Sequence, residues 1–282
     1  MSQAVQADKP VGAIDATVMY SIDTGAKPVN ETFGPGDMRR RQRGGQRQGQ
    51  TVTIADGRAA RSDWALDVHG FEFVDHATKM NDFFDADELT RVYYPEVGKL
   101  IKEVSGAARV HIFDHTLRSG DQAEAEERLI REPVHAAHND YTEWSGPQRV
   151  RDLLPDEAEE LLKSRFAVIQ VWRAINQPIL KNPLAIADAR SLDADDLIAS
   201  ERRYPDRRGE TYQIKYNPAH QWYYFPNSPV TRHWFSRFMN RKPMAGRALP
   251  RTRRSMIQTR RRTPMRASPS KCAPSPSSKG PA

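Results

Sequence analysis

The composition of the chain changes abruptly near residue 228. Residues 228–282 contain fourteen Lys or Arg and no Asp or Glu, whereas residues 1–227 carry 29 basic and 36 acidic residues, a net charge of −7. The later segment is rich in Arg, Pro, Ser and Thr and poor in aliphatic residues, so it cannot bury enough apolar surface to build core strands. We therefore predict a folded domain over residues 1–227 and a basic, disordered tail over residues 228–282.

The folded part alternates strand patterns with a few helical ones. Residues 13–22 and 166–175 are rich in apolar and β-branched residues, and residues 66–74 alternate between polar and apolar. Asp85 or Asp87 can cap a helix that runs to about residue 104. Further strands are predicted at 51–54, 108–113, 184–189 and 213–225, and short helices at 123–130, 156–163 and 193–199. This pattern predicts a mainly β, α+β class fold with flanking helices on a sandwich or barrel core.

The sequence gives three indications of compartment. No apolar run approaches the length of a membrane span, and the N-terminus lacks a basic and then apolar signal segment. Cys272 is the single cysteine, which excludes an intramolecular disulfide. We expect a cytoplasmic protein without membrane partners.

A single His-x-Asp, His138-Asn139-Asp140, is the candidate metal site. Alternate residues of a strand share a face, so an imidazole and a carboxylate could point the same way. With a distant second histidine they would form the facial triad of non-haem Fe(II) oxygenases. Eight histidines and 36 acidic residues make about one such match expected by chance. The alternative is a surface strand with a hydrogen-bonded histidine; His135 would be a neighbouring supporting group of a real site.

Other candidate residues have a structural interpretation that we prefer. The aromatic run at residues 220–226 (His-Gln-Trp-Tyr-Tyr-Phe-Pro) is more typical of core than of a substrate pocket. Arg173, in an apolar strand, needs a counter-charge, which a neighbour or an active-site anion could supply. His111 and His115 lack a third ligand and are interpreted as structural. Residues 144–147 are predicted to form a turn. The sequence contains no Gly-x-Gly-x-x-Gly dinucleotide-binding motif, no Walker-type phosphate loop, no Cys-x-x-Cys and no Gly-x-Ser-x-Gly nucleophile elbow.

Four segments in this order carry a family resemblance: residues 138–142, 145–150 (Ser-Gly-Pro-x-Arg-Val), 171–173 (Val-Trp-Arg) and 220–226. Together they resemble the oxidoreductase family that contains the cephamycin 7-hydroxylase component and gibberellin desaturase-like hydroxylases. The resemblance implies a double-stranded β-helix (jelly-roll) core and an Fe(II)- and 2-oxoglutarate-dependent dioxygenase. It also implies a small-molecule, secondary-metabolite-like substrate that is hydroxylated or desaturated.

The resemblance assigns two iron ligands, His138 and Asp140. A second histidine is expected roughly a hundred residues later, in a His-Thr-Ala-Phe segment. An arginine near the C-terminus would hold the 2-oxoglutarate carboxylate. The His-Thr-Ala-Phe segment does not occur in the chain, because the resemblance ends after Pro226.

Our hypothesis for this departure is a one-base frameshift near residues 226–229, either genuine or a sequencing error. Reading the alternate frame from residue 228 with allowed codons can give thirty consecutive family-like positions, including a His-Thr-Ala-Phe whose histidine is encoded across Arg251 and Thr252. A Val-Arg pair is reachable across residues 271–273. Resequencing tests this hypothesis: a confirmed frame, with stops in the alternate frame before the histidine codon, would show it to be wrong.

The frameshift hypothesis has a chemical consequence. Two ligands hold Fe(II) weakly, and missing C-terminal strands leave the jelly roll incomplete with open edges. His220 and His233 are the in-frame histidines that follow, and neither fits the expected position. We therefore expect the chain as it stands to be a poorly active or inactive oxidoreductase.

Two other functions compete with this interpretation. Arg-rich residues 251–262 could neutralise phosphates, as in a nucleic-acid-binding protein, although an out-of-frame reading of a GC-rich gene produces the same composition. A metal-free β-barrel that binds a small molecule is the second alternative. The sequence leaves the substrate, the choice between hydroxylation and desaturation, and the oligomeric state open.

Overall fold

The structure is a computed structural model that describes residues 10–33, 40–60, 63–118, 134–175, 183–226 and 232–239. Packing of Cα atoms divides the chain into Met1–Arg241 and Lys242–Ala282, and all described residues belong to the first unit. The predicted helix at 123–130 and the Arg-rich residues 251–262 lie outside the described residues.

Strands dominate the described part of the chain. They are β1 (Ile14–Ile22), β2 (Val29–Phe33), β3 (Arg40–Gln42), β4 (Gln46–Asp56), β5 (Phe71–Asp75), β6 (His138–Asn139), β7 (Ala167–Arg173), β8 (Ala185–Ala187), β9 (Leu197–Arg203), β10 (Arg208–Ile214), β11 (Trp222–Tyr224) and β12 (Arg232–Met239). They form three sheets with the strand orders β1-β4-β11-β8, β3-β2-β9-β10-β6 and β5-β12-β7. The expectation of a mainly β chain is confirmed.

Helices are short and lie between the strands. They are α1 (Gly57–Ala60), α2 (Leu66–His69), α3 (Ala86–Glu88), α4 (Tyr94–Ser105), α5 (Ser145–Leu153) and α6 (Ala158–Leu161), with a π-helical turn at Leu89–Tyr93 and 3-10 turns at Ala189–Ser191 and Ala194–Asp196. The predicted cap is confirmed: the Asp85 side chain accepts hydrogen bonds from the backbone N–H groups of Asp87 and Glu88. The structure therefore confirms the long helical segment, with a π-helical turn inside it.

Several predicted elements differ in the structure. The strand predicted at 213–225 is interrupted, because β10 ends at Ile214 and β11 begins at Trp222. Residues 66–74 form helix α2 and then β5, because Gly70 adopts a left-handed conformation (φ 81°) that ends the helix. Residues 108–113 form no strand; Val110 and Ile112 pack against the α4 cluster instead. The predicted turn at 144–147 is the first turn of α5, where Pro147 costs no helical hydrogen bond.

Strand β12 lies inside the segment predicted to be a disordered tail. It pairs antiparallel with β5 and with β7, with His233 opposite both Val74 and Arg173. Its sequence, Arg-His-Trp-Phe-Ser-Arg-Phe-Met, contains three aromatic residues that favour strands. The expectation that no strand follows residue 227 is wrong for these eight residues, while the domain boundary at 227 itself stays a prediction.

The first two sheets have a distinct apolar face. Val18, Tyr20, Ile54, Ile214 and Trp222 are buried there as one cluster, which draws on β1, β4, β10 and β11. Side chains alternate along a strand, so the neighbouring residues Ser21 and Gln213 point to the opposite face. There the Ser21 hydroxyl donates a 2.7 Å hydrogen bond to Gln213 Oε1. His138 lies opposite Gln213 and therefore shares this second face. We call it the polar face.

Candidate metal site

Two elements bring His138 and Asp140 together. His138 belongs to β6, which pairs with β10 so that His138 lies opposite Gln213, and Asp140 follows the strand directly. His138 Nε2 and Asp140 Oδ1 are 3.4 Å apart. The sequence pattern thus predicted correctly that the two side chains meet. Their role as metal ligands stays a prediction.

The other ring nitrogen of His138 is held by the backbone. His138 Nδ1 is 2.7 Å from the carbonyl oxygen of Ala136. A carbonyl oxygen only accepts hydrogen bonds, so Nδ1 carries a proton, and Nε2, which faces Asp140, is the ring nitrogen left for a metal ion. This is the arrangement that ligating histidines show in metal sites.

Asp140 is held as an anion by its surroundings. Burial raises its pKa, but the hydrogen bond and charge of His138, the charge of Arg202 and a hydrogen bond from Gln170 outweigh burial and lower the pKa to about 2. Gln170 Nε2 donates to Asp140 Oδ2, and Trp172 Nε1 donates to Gln170 Oε1 at 3.1 Å. The carboxylate is therefore charged and oriented at neutral pH.

The segment after Asp140 is fixed to β10 by buried hydroxyl groups. The Thr142 hydroxyl donates to Glu210 Oε1 at 2.6 Å, and the Ser145 hydroxyl donates to the Glu210 carbonyl at 2.6 Å. Thr142 is 1% exposed, and Lys27 pairs with the Glu210 carboxylate. The chain on the C-terminal side of Asp140 is therefore rigidly anchored.

A third ligand is not found within the described part of the chain, where no group of three or more His, Cys, Asp or Glu residues could hold a metal. His220 Nε2 lies 3.0 Å from Asp196 Oδ2, and His220 Nδ1 lies 3.2 Å from the Tyr20 hydroxyl. Both ring nitrogens are thus engaged beside the apolar cluster. The backbone of His233 lies in β12, and its side chain is outside the described atoms.

The spacing and chemistry of the two donor atoms suit a divalent ion. Two atoms that bind one ion at about 2.1 Å and at right angles lie about 3 Å apart, and the 3.4 Å between His138 Nε2 and Asp140 Oδ1 is close to this spacing. Nitrogen and carboxylate oxygen donors suit Fe(II). The pair fits two of the three protein positions of such a site.

Several predicted site residues have structural roles. Trp222 and Phe225 are buried in two apolar clusters, which confirms the core interpretation of residues 220–226. The Arg173 guanidinium lies over the Phe83 and Tyr93 rings, 5.1 and 5.7 Å from their centroids. His115 Nδ1 lies 2.7 Å from the Tyr94 hydroxyl.

Sequence reasoning missed Gln170, the residue that orients Asp140. The sequence contained a signal for it, because Gln170 interrupts the apolar run of the strand Ala-Val-Ile-Gln-Val-Trp-Arg well before the terminal arginine. A polar residue inside such a run needs a buried partner. Arg202 was missed as well, since it stands in the charged run Glu201-Arg202-Arg203 that resembles a solvated edge.

Within the described residues, every helix is too short or too polar to traverse a bilayer. The sequence matches the family model described as "Oxidoreductase/YMDC permease-like domain" over residues 18–269.

Two relatives are similar in sequence to part of this chain. The hydroxylase/desaturase CTB9 of Cercospora beticola is 32% identical over 197 residues, which cover 62% of this chain and 60% of that protein. The Fe(II)/2-oxoglutarate-dependent dioxygenase nvfI of Aspergillus novofumigatus is 31% identical over 180 residues, 61% of this chain and 64% of that protein. The chain spans between 58% and 65% of the length of the first curated relatives that it matches.

A solved structure has the same architecture. That of the iron and alpha-ketoglutarate-dependent endoperoxidase NvfI matches with a TM-score of 0.70 at 21% identity, over 82% of this chain and 86% of that chain. The predicted jelly-roll fold is thereby confirmed.

Proposed function

Because the chain belongs to the oxidoreductase/YMDC permease-like domain family, we propose that it descends from, and has the site of, an Fe(II)- and 2-oxoglutarate-dependent hydroxylase or desaturase. The observation that carries this proposal is the pairing of His138 Nε2 with Asp140 Oδ1 at 3.4 Å, with His138 Nδ1 held by a carbonyl. The printed names of the relatives, a hydroxylase/desaturase and a dioxygenase, support it. The substrate class is a small, secondary-metabolite-like molecule.

His138 and Asp140 are the residues that would hold the iron. Bound Fe(II) together with 2-oxoglutarate supplies the activation of O2 that oxidises an unreactive C–H bond. The protein supplies the Nε2 nitrogen of His138 and a carboxylate on Asp140 that is already ionised. Gln170 fixes the carboxylate plane, and Thr142 with Ser145 fixes the backbone that follows it.

We also propose that the His138–Asp140 pair binds iron only weakly in the chain as it stands. Two protein ligands bind a divalent ion less tightly than three, and the third histidine is expected in the alternate reading frame across Arg251 and Thr252. We propose that restoring the frame from residue 228 restores tight iron binding. The nucleic-acid alternative rests on residues 251–262, which lie outside the described part of the chain.

The experiment compares the chain as it stands with a frame-restored version. Both are titrated with Fe(II) and 2-oxoglutarate without oxygen, and succinate is measured after oxygen is admitted. The frame-restored chain should show an absorption change and form succinate, and His138→Ala and Asp140→Ala should abolish both. No absorption change and no succinate in the restored chain would reject the enzyme and favour a metal-free binding protein.

A further inference from the structure

His138 lies on a segment that two flanking strands hold from either side. On one flank, the backbone N–H of Ala137 donates a 2.9 Å hydrogen bond to the Met19 carbonyl of β1. On the other flank, the backbone N–H of Ile214 in β10 donates to the Ala137 carbonyl at 3.2 Å, and His138 lies opposite Gln213. Strand β6 is only two residues long, so the place of His138 depends on β1 and β10.

One side-chain hydrogen bond ties the two flanking strands to each other. The Ser21 hydroxyl of β1 donates to Gln213 Oε1 of β10 at 2.7 Å. Both residues are buried, each with 4% of its surface exposed. Breaking this bond would leave a buried acceptor unsatisfied, which costs free energy. The separation of β1 and β10 is therefore fixed next to His138.

The amide nitrogen of Gln213 is held on the same polar face. Gln213 Nε2 donates to Ser200 Oγ of β9 at 3.0 Å, and Asn30 Nδ2 of β2 donates to the same oxygen at 2.7 Å. Ser200 is fully buried, and its hydroxyl donates to the Pro28 carbonyl at 3.3 Å. An amide whose oxygen and nitrogen both have partners cannot turn over without losing them. Gln213 is thus locked between β1 and β9.

We propose that Gln213 is a positioning residue for His138: its side chain fixes the separation of β1 and β10, and thereby the orientation of the imidazole between them. This orientation is seen in the 2.7 Å contact of His138 Nδ1 with the Ala136 carbonyl, which leaves Nε2 facing Asp140. The contact depends on the backbone of residues 136–138, which lies between the two strands. The consequence for metal binding rests on the proposed function, whereas the orientation itself needs no metal.

Nitrogen-15 NMR of the histidine rings measures this orientation in the metal-free full chain. Spectra are recorded at about pH 9, where free histidine is neutral, and the signals that disappear in His138→Ala identify His138. In the wild-type chain the proton should lie on Nδ1, held by the Ala136 carbonyl. In Gln213→Leu it should move to Nε2 in a large share of the molecules, because the segment is no longer held at its place between β1 and β10.

Asn30→Leu is the matched control. Asn30 has the same amide chemistry and binds the same Ser200 oxygen, but β9 and β10 separate its strand β2 from β6 in the sheet. The control variant should lower the free energy of unfolding, since a buried hydrogen bond is lost, and should leave the His138 tautomer unchanged.

A second pair of variants breaks the same bond from the other strand. Ser21→Ala removes the donor to Gln213 Oε1 with a smaller change in volume, and it should shift the His138 tautomer as Gln213→Leu does. Ser21→Thr keeps the hydroxyl and should retain the wild-type tautomer. If Gln213→Leu does not fold, the comparison of Ser21→Ala with Ser21→Thr decides the question.

Mn(II) titration, followed by electron paramagnetic resonance, measures the consequence for the candidate metal site. Gln213→Leu and Ser21→Ala should weaken Mn(II) binding about tenfold, as is typical when a residue that orients a ligand is lost. Asn30→Leu and Ser21→Thr should stay within about twofold of the wild-type chain.

A tautomer shift in Gln213→Leu and Ser21→Ala, without one in Asn30→Leu and Ser21→Thr, supports the proposal. The same pattern in a wild-type chain that binds no Mn(II) supports the positioning role and counts against the proposed iron site alone. An unchanged tautomer in Gln213→Leu and Ser21→Ala, or an equal shift in Asn30→Leu, would overturn the proposal. Unchanged Mn(II) affinity in chains that do bind the ion would overturn it as well.

Discussion

The side-chain amide of Gln170 donates a hydrogen bond to Asp140 Oδ2. Strand β7 thus reaches across to the residue that follows β6, and Trp172 Nε1 holds the amide from the other side. An amide fixed through its oxygen must present its NH2 group to Asp140. The candidate metal-binding carboxylate is therefore oriented by a second strand that is distant in sequence.

Replacing Gln170 by Leu should weaken divalent metal binding by about tenfold or more, since partners that orient a ligand typically contribute this much. Binding of Mn(II) or Fe(II) to the frame-restored chain, measured without oxygen, gives the affinity. Gln148→Leu is the control, because Gln148 bonds Asp152 on the exposed surface of α5. Equal affinities in the two variants would show that Gln170 does not orient the ligand.

The Asp140 carboxyl should titrate near pH 2, well below its ordinary value of 3.8. Its folded-state pKa is depressed, so the stability that it contributes is present above about pH 4 and is lost as the pH falls towards 2. Carbon-13 NMR titration of labelled aspartate gives the midpoint directly. His138→Ala should raise that midpoint, because the hydrogen bond and charge of His138 are removed; an unchanged midpoint contradicts the pairing.

Thr142→Val should destabilise the fold by about 1–2 kcal/mol, since the change removes a buried hydroxyl and leaves Glu210 Oε1 without its donor. Urea unfolding measures this cost. Thr53→Val removes a comparable hydrogen bond, to Asp15, at the exposed surface, and should cost less than about 0.5 kcal/mol. If both variants lose a similar free energy of unfolding, the Thr142 hydroxyl does not stabilise the segment that follows Asp140.

His220→Phe should lower the free energy of unfolding by about 2 kcal/mol, because the buried Asp196 carboxylate loses a hydrogen-bond partner. The same variant should leave the affinity for Mn(II) within about twofold, or under 0.5 kcal/mol. The exposed His135→Phe serves as the reference for replacing a histidine by an aromatic ring. If His220→Phe instead abolishes metal binding and keeps full stability, His220 is a ligand and not a core residue.

Particular residues show which structural features could be predicted from the sequence alone. Alternation in a strand placed His138 and Asp140 together, and the capping signal at Asp85 marked a helix start, because both are properties of neighbouring residues. The split of residues 66–74 at Gly70 was not visible, since the alternating pattern also fits a short helix followed by a strand. Strand β12 was missed because its pairing with β5 and β7 is a long-range property.

The sequence by itself determined the mainly β class and identified the candidate ligand pair. These follow from local periodicity and residue chemistry, which need no knowledge of distant partners. Only the tertiary structure decided that Gln170 orients Asp140 and that His220 is engaged with Asp196 and Tyr20. Each of these depends on which strands lie side by side, and strand order is set by packing over the whole domain rather than by any single segment.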